Sequence, residues 1–458
     1  MAICSIAQAS KLRSSFVRMD PEFFKPIYMQ ASQEIEDIPG IVRLGHICER
    51  ITQGSNPKFS RSGMPCVNGK NVYFGTMLAG EPNYVTPAEF ERLRGYVLRK
   101  DDLVITLKHA TKIGRVWLVE DDEPRIFSRN VGLIRLAPGA PYLPSVLLLY
   151  LWSRHGQLLL DRCATGGTTG QITLPIAELK RLPIPPLAET EQKSIDAVFK
   201  QSRSLARKAH DLFDQADDLL DAELPLNHRE FETPIGYLAC LSDTVVGARI
   251  DSEYFQPQYV ALRNTIQSYR HGYDVLLQVA DALKPNIDPS QTPARTFNYI
   301  ELSQINSALG MVEGNTVSSG ASLPSRARRQ VSAGDVIASA VVGSADKVAL
   351  ISADENGYIA STGFFHFRPK TVSPEYLLML VRSRCVSMQF QQQATGGILS
   401  AVPDGRLKHV IVPRFPQKLQ DKVTELVIQA HQAKRESDAL LQQAKARVEQ
   451  LIEEAITR

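Results

Sequence analysis

The sequence contains no long hydrophobic run. Its longest apolar stretch, around residues 146–151, is far shorter than the roughly 20 residues that a helix needs to cross a bilayer. The first residues do not combine a basic segment with a sustained apolar one, so we expect no secretory signal. The six cysteines form no CxxC pair, which is typical of free thiols in a reducing compartment and predicts a cytoplasmic protein.

The sequence also lacks the motifs of common nucleotide-binding, DNA-modifying and metal-dependent enzymes. It contains no GxGxxG, no Asn/Asp-Pro-Pro-aromatic run and no HExxH. Segment 63–71 resembles a phosphate-binding loop, but its spacing is wrong and Asn71 stands where Ser or Thr must reach Mg²⁺. Asp101, Asp102 and Lys108 could belong to a nuclease site, yet the second copy of the repeat described below lacks the lysine. We therefore expect no catalytic residue and no metal site.

The chain contains an internal repeat with an offset of about 230 residues. Residues 18–28 (RMDPEFFKPIY) and 249–259 (RIDSEYFQPQY) share six identical positions. The tetrapeptide Ala-Thr-Gly-Gly occurs at 164–167 and again at 394–397, so the order of the matches is kept. These matches predict a tandem duplication whose interior segments have diverged.

Each half is predicted to contain a mixed α/β domain followed by a long helix, which gives an α+β fold class. The composition, 43% hydrophobic and 22% charged, excludes a disordered chain, and 458 residues suggest about two to four domains. Short strand-like runs at 102–107, 115–119 and 131–136, between Gly, Pro and Asn turns, precede an apolar helix near 144–161, and the second half repeats this layout. The predicted boundaries are 1–187 for the first domain, 188–224 for the first helix, 225–235 for a linker, 236–415 for the second domain and 416–458 for the second helix.

Both long helices have an apolar repeat of about 3.5 residues, which is typical of a coiled-coil seam. The economical interpretation is that the two helices pair with each other. The alternative is that each is an amphipathic helix packed on its own domain. The predicted seam consists of Val198, Ser202, Leu205, Ala209, Leu212, Ala216 and Leu219 in the first helix and Val423, Leu426, Ala430, Ala433, Ser437, Leu440, Ala444 and Leu451 in the second.

The formal net charge of +3 is unevenly distributed. Residues 1–187 contain 23 Lys and Arg against 17 Asp and Glu, whereas residues 188–230 contain 6 against 10. An acidic helix face repels phosphate, so contact with DNA is expected from the globular domains. Basic side chains in loops rich in Ser, Thr, Asn and Gly can bind phosphates, and some can reach base edges.

The candidate DNA-binding residues cluster in predicted loops. Their alternative role is that of ordinary solvated loop charges. Replacing Arg328 or Lys112 by alanine is expected to weaken binding. If the side chain contacts only phosphate, the replacement should also lower the salt slope by about one unit. The candidates are Lys58, Arg61, Lys70, Lys108, Lys112, Arg115, Arg129, Thr168, Thr169 and Gln171 in the first domain and Arg295, Arg326, Arg328, Arg329 and Lys347 in the second.

The order of domain, long helix, diverged domain and long helix resembles the DNA specificity (S) subunit of type I restriction–modification systems. The most specific features are GGTTGQI at 166–172 and LPIPPLAE at 182–189, which leads to Gln192 in the helix. In that family such a Pro-Pro-Leu run closes a target recognition domain. The second copy, VIVPRFPQKLQ at 410–420, keeps Gln420 but loses Pro-Pro-Leu.

The resemblance implies a non-catalytic, pseudo-two-fold subunit whose helices pair as an antiparallel coiled coil between two target recognition domains. It also implies double-stranded DNA as ligand, two adenine methyltransferase subunits that use S-adenosylmethionine, and restriction subunits that use ATP and Mg²⁺. No cofactor is expected on this chain, and no membrane. A helix of roughly 35 residues spans about 50 Å, or about 15 base pairs, which would make the target bipartite. Because the two domains differ in sequence, the target would be asymmetric.

Three alternatives stay open at this point. The chain could be a nuclease or methyltransferase with an unrecognised site. It could be a coiled-coil scaffold that binds only proteins. A different defence system could also use the same kind of subunit.

Overall fold

The computed structural model describes residues 21–73, 83–166, 170–226, 236–238, 240–247, 249–396 and 400–458. The chain forms two compact units. Unit 1 comprises Met1–Ser204 and Ser437–Arg458, and unit 2 comprises Leu205–Glu436. Both long helices contribute to both units, because the unit boundaries fall inside the helices. Within the described part of the chain, none of the helices combines the length and the apolarity that crossing a lipid bilayer requires.

Unit 1 is a mixed α/β unit. Its elements are α1 Pro26–Glu36, β1 Val42–Arg43, α2 Leu44–Ile47, β2 Cys48–Gln53, β3 Phe59–Ser60, β4 Met64–Val67, β5 Asn83–Val85, α3 Pro87–Arg92, β6 Leu103–Thr106, β7 Lys108–His109, β8 Val116–Leu118, β9 Ile126–Phe127, β10 Val131–Leu136, α4 Pro144–Trp152, α5 Arg154–Cys163, β11 Thr165–Gly166, β12 Ile172–Thr173, α6 Ile176–Arg181, β13 Pro183–Ile184 and the long helix α7 Glu189–Glu223. The main sheet is antiparallel, with strand order β2-β10-β6-β8. Further sheets have the orders β3-β5-β4-β9, β11-β12-β7 and β1-β13.

The apolar helix predicted near 144–161 is two helices, α4 and α5, separated at Ser153. The hydroxyl of Ser153 accepts a hydrogen bond from the Gly156 backbone N–H at 3.1 Å and begins the second helix. A Cβ at Gly156 would lie 2.1 Å from the carbonyl oxygen of Tyr150, so the close approach of the two helices requires glycine here. The prediction of one continuous helix is therefore wrong, because periodicity does not reveal a cap inside an apolar run.

Unit 2 repeats the main sheet of unit 1, with antiparallel pairing throughout and the strand order β15 (Ala280–Ala282), β24 (Phe364–Pro369), β21 (Val336–Ser339) and β22 (Val348–Leu350). Its elements are α8 Leu241–Gly247, α9 Pro257–Gln267, β14 Tyr273–Val275, α10 Leu276–Val279, β15 Ala280–Ala282, β16 Thr296–Ile300, β17 Ile305–Asn306, β18 Met311–Val312, β19 Thr316–Ser319, β20 Ala327–Gln330, β21 Val336–Ser339, β22 Val348–Leu350, β23 Ile359–Ser361, β24 Phe364–Pro369, α11 Pro374–Arg382, α12 Arg384–Gln393, β25 Ile411–Pro413 and the long helix α13 Gln417–Thr457.

The correspondence between the two units extends to their smaller elements. Each unit has a second four-stranded sheet with one parallel pair, β4 with β9 in unit 1 and β16 with β23 in unit 2. Each also has a two-stranded pair, β1 with β13 or β14 with β25, and a broken helix, α4–α5 or α11–α12. The predicted α+β fold class and the predicted duplication are both confirmed at the level of the fold.

In unit 1 the first part of α7 pairs antiparallel with the last part of α13. Ser202 Oγ donates to the Ser437 carbonyl and Ser437 Oγ donates to the Ser202 carbonyl, both at 2.8 Å. Further along, Arg447 Nη2 lies 2.8 Å from a carboxylate oxygen of Glu191. From the Glu191–Arg447 pair to the Ser202–Ser437 pair, the residue numbers rise along α7 and fall along α13, so the two helices run in opposite directions. In unit 2, the ring of Phe213 on α7 stacks on His431 of α13 with centroids 5.9 Å apart.

The predicted seam is only partly the buried line of the helices. Six seam residues, Val198, Leu205, Leu212, Leu219, Leu440 and Leu451, are partly exposed. Another nine, Ser202, Ala209, Ala216, Val423, Leu426, Ala430, Ala433, Ser437 and Ala444, are buried. The buried apolar positions of the two helices that were not predicted are Ile195, Phe199, Phe213, Leu220, Val427, Leu441, Val448 and Ile452.

The difference arises because each helix packs on its own unit as well as on the other helix. In unit 1, Phe199 and Val448 belong to the same core as the α4 residue Leu148. The apolar stripe on each helix is therefore wider than a two-helix seam. In α7 several buried residues follow the predicted ones by one position, as Phe199 follows Val198. Pairing of the helices and packing on the globular elements, which the sequence left as alternatives, occur together.

Candidate nucleic-acid interface

A three-stranded antiparallel sheet in unit 1 brings two of the predicted basic segments together. In the order β11-β12-β7, Thr173 lies opposite Lys108 and Ile172 lies opposite His109. Gln171, which directly precedes β12, is exposed. Thr168 and Thr169 lie outside the described residues. The sheet therefore places the 170–173 segment beside the Lys108 strand.

A third segment joins this sheet through backbone contacts. The Asn130 carbonyl accepts hydrogen bonds from the Leu107 and Lys108 N–H groups at 2.9 and 3.1 Å. Asn68 Oδ1 accepts from Asn130 Nδ2 at 3.1 Å, and a Cβ at Gly69 would lie 3.5 Å from the Lys108 carbonyl. Lys70 follows Gly69 and Arg129 precedes Asn130. The fold thus gathers Lys70, Lys108 and Arg129 from three segments that are distant in sequence.

Arg115 and the aromatic ring of Tyr73 extend this group. The Arg115 guanidinium lies 5.2 Å from the centre of the Tyr73 ring, and Tyr73 is 44% exposed. A guanidinium stacked on an exposed ring is a surface suited to phosphates and bases. Tyr73 is not among the residues predicted from the sequence. The sequence signal that could have identified it is its position, three residues after the predicted contact Lys70.

His109 supplies a hydrogen-bond donor within the same group. Its Nδ1 accepts from the Thr111 backbone N–H at 3.2 Å. Burial, with Arg115 nearby, lowers the pKa of His109 below its usual value, so the ring is neutral at pH 7. Because Nδ1 is the acceptor, the neutral ring carries its proton on Nε2, which can donate to a phosphate or a base edge.

The remaining candidates of unit 1 fall into two kinds. Lys112 is paired, with its Nζ 3.0 and 3.1 Å from the two carboxylate oxygens of Asp161. Lys58 and Arg61 flank β3 in a different sheet and are exposed. Within the described residues, none of the side chains of Arg61, Lys70, Lys108 and Arg129 forms an ion pair. These four side chains therefore carry positive charge that no described carboxylate neutralises.

The corresponding place in unit 2 is apolar. Val341 pairs with Ala401, as Lys108 does with Thr173, and the Val342 N–H donates to the Ser400 carbonyl at 2.9 Å. Val342 is 39% exposed. Two valines thus stand where unit 1 has Lys108 and His109, so the same framework presents different chemistry.

Three unit 2 candidates lie on or beside one four-stranded sheet, β19-β16-β23-β20. Arg326 donates to Tyr299 Oη at 3.2 Å and to Glu301 at 3.1 Å, and Arg328 Nη1 lies 2.6 Å from Asp288. Hydrogen bonds from Ser290 and Arg328 lower the pKa of the Asp288 carboxyl. Arg295 is exposed, and its guanidinium lies 5.0 Å from the Phe297 ring.

Two further unit 2 candidates are committed to contacts within the protein. Arg329 is 3% exposed, and its Nη1 donates to the Leu283 carbonyl at 2.5 Å. Burial lowers the pKa of the Arg329 guanidinium, although the carboxylate of Asp404 opposes that change. Lys347 Nζ donates to the Ile305 carbonyl at 3.1 Å. Arg329 is therefore shielded from DNA by burial and is excluded from the interface proposed below.

Two buried carboxylates, Asp102 in unit 1 and Asp335 in unit 2, occupy corresponding positions and bind an arginine of a neighbouring strand in the main sheet. Asp102 accepts a bidentate pair from Arg135 at 2.7 Å, and Asp335 accepts one from Arg368 at 2.7 and 2.8 Å. Burial acts to raise the pKa of Asp335, but hydrogen bonds from His366 and Arg368 outweigh it and lower the pKa to about 2. Asp102, considered above for a nuclease site, is thus a structural group. Among the residues that the structure describes, no cluster of His, Cys, Asp and Glu could hold a metal ion.

No protein-family model matches this chain, and no curated protein matches it at a significant level. Three solved structures align over 92% of it. The type I restriction–modification S subunit from M. genitalium is 12% identical, with 96% of that chain covered and a TM-score of 0.43. The HsdS subunit from Thermoanaerobacter tengcongensis is 15% identical, with 96% covered and a TM-score of 0.27.

The third structure concerns complex assembly and conformational transition of the type I R-M system. It is 15% identical, with 98% of that chain covered and a TM-score of 0.28.

Proposed function

We propose that this chain is a non-catalytic, sequence-specific DNA-binding subunit of the type I restriction–modification kind. The observation that carries the proposal is the group formed by Lys70, Lys108, Arg115 and Arg129 in unit 1. Three segments distant in sequence bring these cations together, and no described carboxylate pairs with them. Unpaired cations beside an exposed aromatic ring and a hydrogen-bond donor suit a phosphate backbone and its base edges.

The proposed target is bipartite and asymmetric. Units of the same fold present different groups at corresponding positions, with Lys108 and His109 in unit 1 and Val341 and Val342 in unit 2. Unit 1 would bind through charge and hydrogen bonds. Unit 2 would contribute Arg295 and apolar contacts, with Arg326 and Arg328 available where DNA displaces their carboxylate partners. Two unlike half-sites follow from two unlike surfaces.

The chemistry of modification and cleavage would belong to partner subunits. Two methyltransferase subunits would supply S-adenosylmethionine-dependent adenine methylation, and restriction subunits would supply ATP- and Mg²⁺-dependent cleavage. In this proposal the chain is cytoplasmic and gives the complex its sequence preference. A defence system without the restriction subunit would use the chain in the same way.

Selection from random-sequence duplex DNA tests the proposal. The complete purified chain should enrich a two-part sequence with one fixed gap, and the variant Lys70→Ala/Lys108→Ala/Arg129→Ala should recover far less DNA. Lys193→Ala/Lys200→Ala is a matched control, because both lysines are exposed and paired with acidic residues of the same helix. Enrichment of no sequence by the wild-type chain would contradict the proposal. Methylation or cleavage by the chain alone would favour an enzyme instead.

A further inference from the structure

The two best-preserved segments of the internal repeat contact each other in unit 2. Arg249 begins the segment 249–259, and Ala394 begins the Ala-Thr-Gly-Gly tetrapeptide. Arg249 Nη1 donates to the Ala394 carbonyl at 2.8 Å and to the Gln393 carbonyl at 3.2 Å. These carbonyls lie at the C-terminal end of α12 and have no partner within the helix. A guanidinium there satisfies them and complements the negative end of the helix dipole.

The guanidinium is itself held from two sides. Asp251, also preserved in the repeat, accepts from Arg249 Nε and Nη2 at 2.5 Å each, and this contact lowers the pKa of the Asp251 carboxyl. The Tyr254 ring lies 5.1 Å from the Arg249 guanidinium, and Gln392 Nε2 donates to the Tyr254 carbonyl at 3.1 Å. Only 11% of the Arg249 side chain is exposed. Its orientation is therefore fixed before any ligand arrives.

The backbone that follows the carbonyls held by Arg249 leads to the surface around Val341 and Val342, which corresponds to the cationic group of unit 1. Thr395 and Ala401 exchange backbone hydrogen bonds at 2.9 and 3.0 Å. Ala401 in turn pairs with Val341, and the Ser400 carbonyl accepts from the Val342 N–H. A change in the direction of the chain at Ala394 would therefore move this whole surface.

Unit 1 places corresponding segments together. The turn at Pro21–Phe24 packs on α5, and the Arg162 guanidinium of α5 lies 4.1 Å from the centre of the Phe23 ring, the counterpart of Tyr254. Arg162 Nη1 also donates to Ser32 Oγ at 2.6 Å. Duplication has thus kept a contact between the start of each repeat and the end of its second short helix.

We propose that Arg249 is a positioning residue that sets the direction in which residues 394–396 leave α12 and so presents the surface around Val342 and Ala401 to DNA. This inference rests on the proposed function for the identity of the ligand. The positioning itself depends only on the contacts within unit 2. It also explains why Arg249, Asp251 and the tetrapeptide are preserved in both copies while the surfaces they support have diverged.

Amide hydrogen exchange of the complete chain tests the positioning without DNA. Arg249→Ala should raise exchange at Thr395 and Ala401 about tenfold, because the end of α12 loses a charge-assisted anchor. Exchange in the buried strand β21 should not change. Asp251→Asn, which keeps the cation but loosens it, should change the same two amides in the same direction by a smaller factor. Unchanged exchange at Thr395 and Ala401 in Arg249→Ala would overturn the proposal.

Binding to the selected DNA tests the consequence. Arg249→Ala should lose about tenfold in discrimination against a scrambled second half-site and keep the preference of unit 1, since a misplaced surface loses roughly one good base contact. Arg414→Ala is the control, because Arg414 also forms a bidentate pair with an aspartate, Asp274, but at the β14–β25 strand pair and not at the C-terminal end of α12. Equal losses in the two variants, or wild-type discrimination by Arg249→Ala, would overturn the proposal. If the wild-type chain selects no DNA sequence, that result contradicts the proposed function. The hydrogen-exchange experiment would then still test whether Arg249 positions residues 394–396.

Discussion

The sharpest single-residue comparison is between Lys108 and Lys112, which lie four positions apart in unit 1. Replacing either by alanine removes one positive charge. Lys108 forms no ion pair with a described residue, whereas the Lys112 ammonium lies 3.0 Å from Asp161 in a half-buried pair. DNA binding by Lys108 releases counterions directly. Binding by Lys112 must first break its contact with Asp161, which leaves that carboxylate facing phosphate.

The magnitude follows from counterion release. Each phosphate contact contributes about 0.9 to the slope of log K against log salt concentration on duplex DNA. Lys108→Ala should therefore lower the slope by about 0.9, and Lys112→Ala should lower it by less than half as much. The expected loss for Lys112→Ala is thus smaller than the slope change of about one unit predicted from the sequence, because the fold pairs Lys112 with Asp161.

Fluorescence anisotropy of a labelled duplex, measured from low to physiological salt, gives both slopes. Thermal unfolding of each variant controls for stability, since loss of a partly exposed ion pair costs about 0–1 kcal/mol. Equal slope changes for the two variants would refute the reasoning that local pairing decides which lysines contact phosphate. An unchanged slope in Lys108→Ala would remove Lys108 from the interface.

Three further predictions concern the framework. Phe199→Ala should lower the free energy of unfolding by about 3–5 kcal/mol and Val198→Ala by far less, because only Phe199 is fully buried. Denaturant unfolding measures both losses, and similar losses would indicate that the buried line runs through Val198, as the sequence predicted. Gly156→Ala should lower the melting temperature, since its Cβ would meet the Tyr150 carbonyl, and an unchanged value would contradict that close approach. Asp335→Asn should cost about 3 kcal/mol. Because the pKa of Asp335 is about 2, below its unfolded value near 4, the stability it contributes is complete above about pH 4 and lost as the pH falls toward 2. A variant with the same acid unfolding profile as the wild type would contradict this.

The long helices were predictable because their periodicity is extended and their boundaries carry local signals. The first was predicted over 188–224 and spans Glu189–Glu223, and the strand predicted over 131–136 is β10, Val131–Leu136. The seam was predictable only in part. A heptad pattern does not reveal that α4 also packs on α7, and that contact moves the buried line from Val198 to Phe199.

The pairing of charges could not be predicted from the sequence. Lys108 and Lys112 are equally basic and sit in the same predicted loop, but only the fold brings Asp161 to one of them. The same holds for Arg329, which the sequence places beside Arg326 and Arg328 but which β20 directs into the interior. Alternation along a strand separates such neighbours, and the strand itself was not predicted.

A chain with two unlike recognition surfaces should specify two unlike half-sites. The decisive measurement is a map of methylated adenines in the genome of cells that carry the chain with its native partner genes. We expect one asymmetric motif with two short specific parts and a fixed gap, lost when this chain is deleted. A palindromic motif, or a motif that persists without the chain, would contradict it.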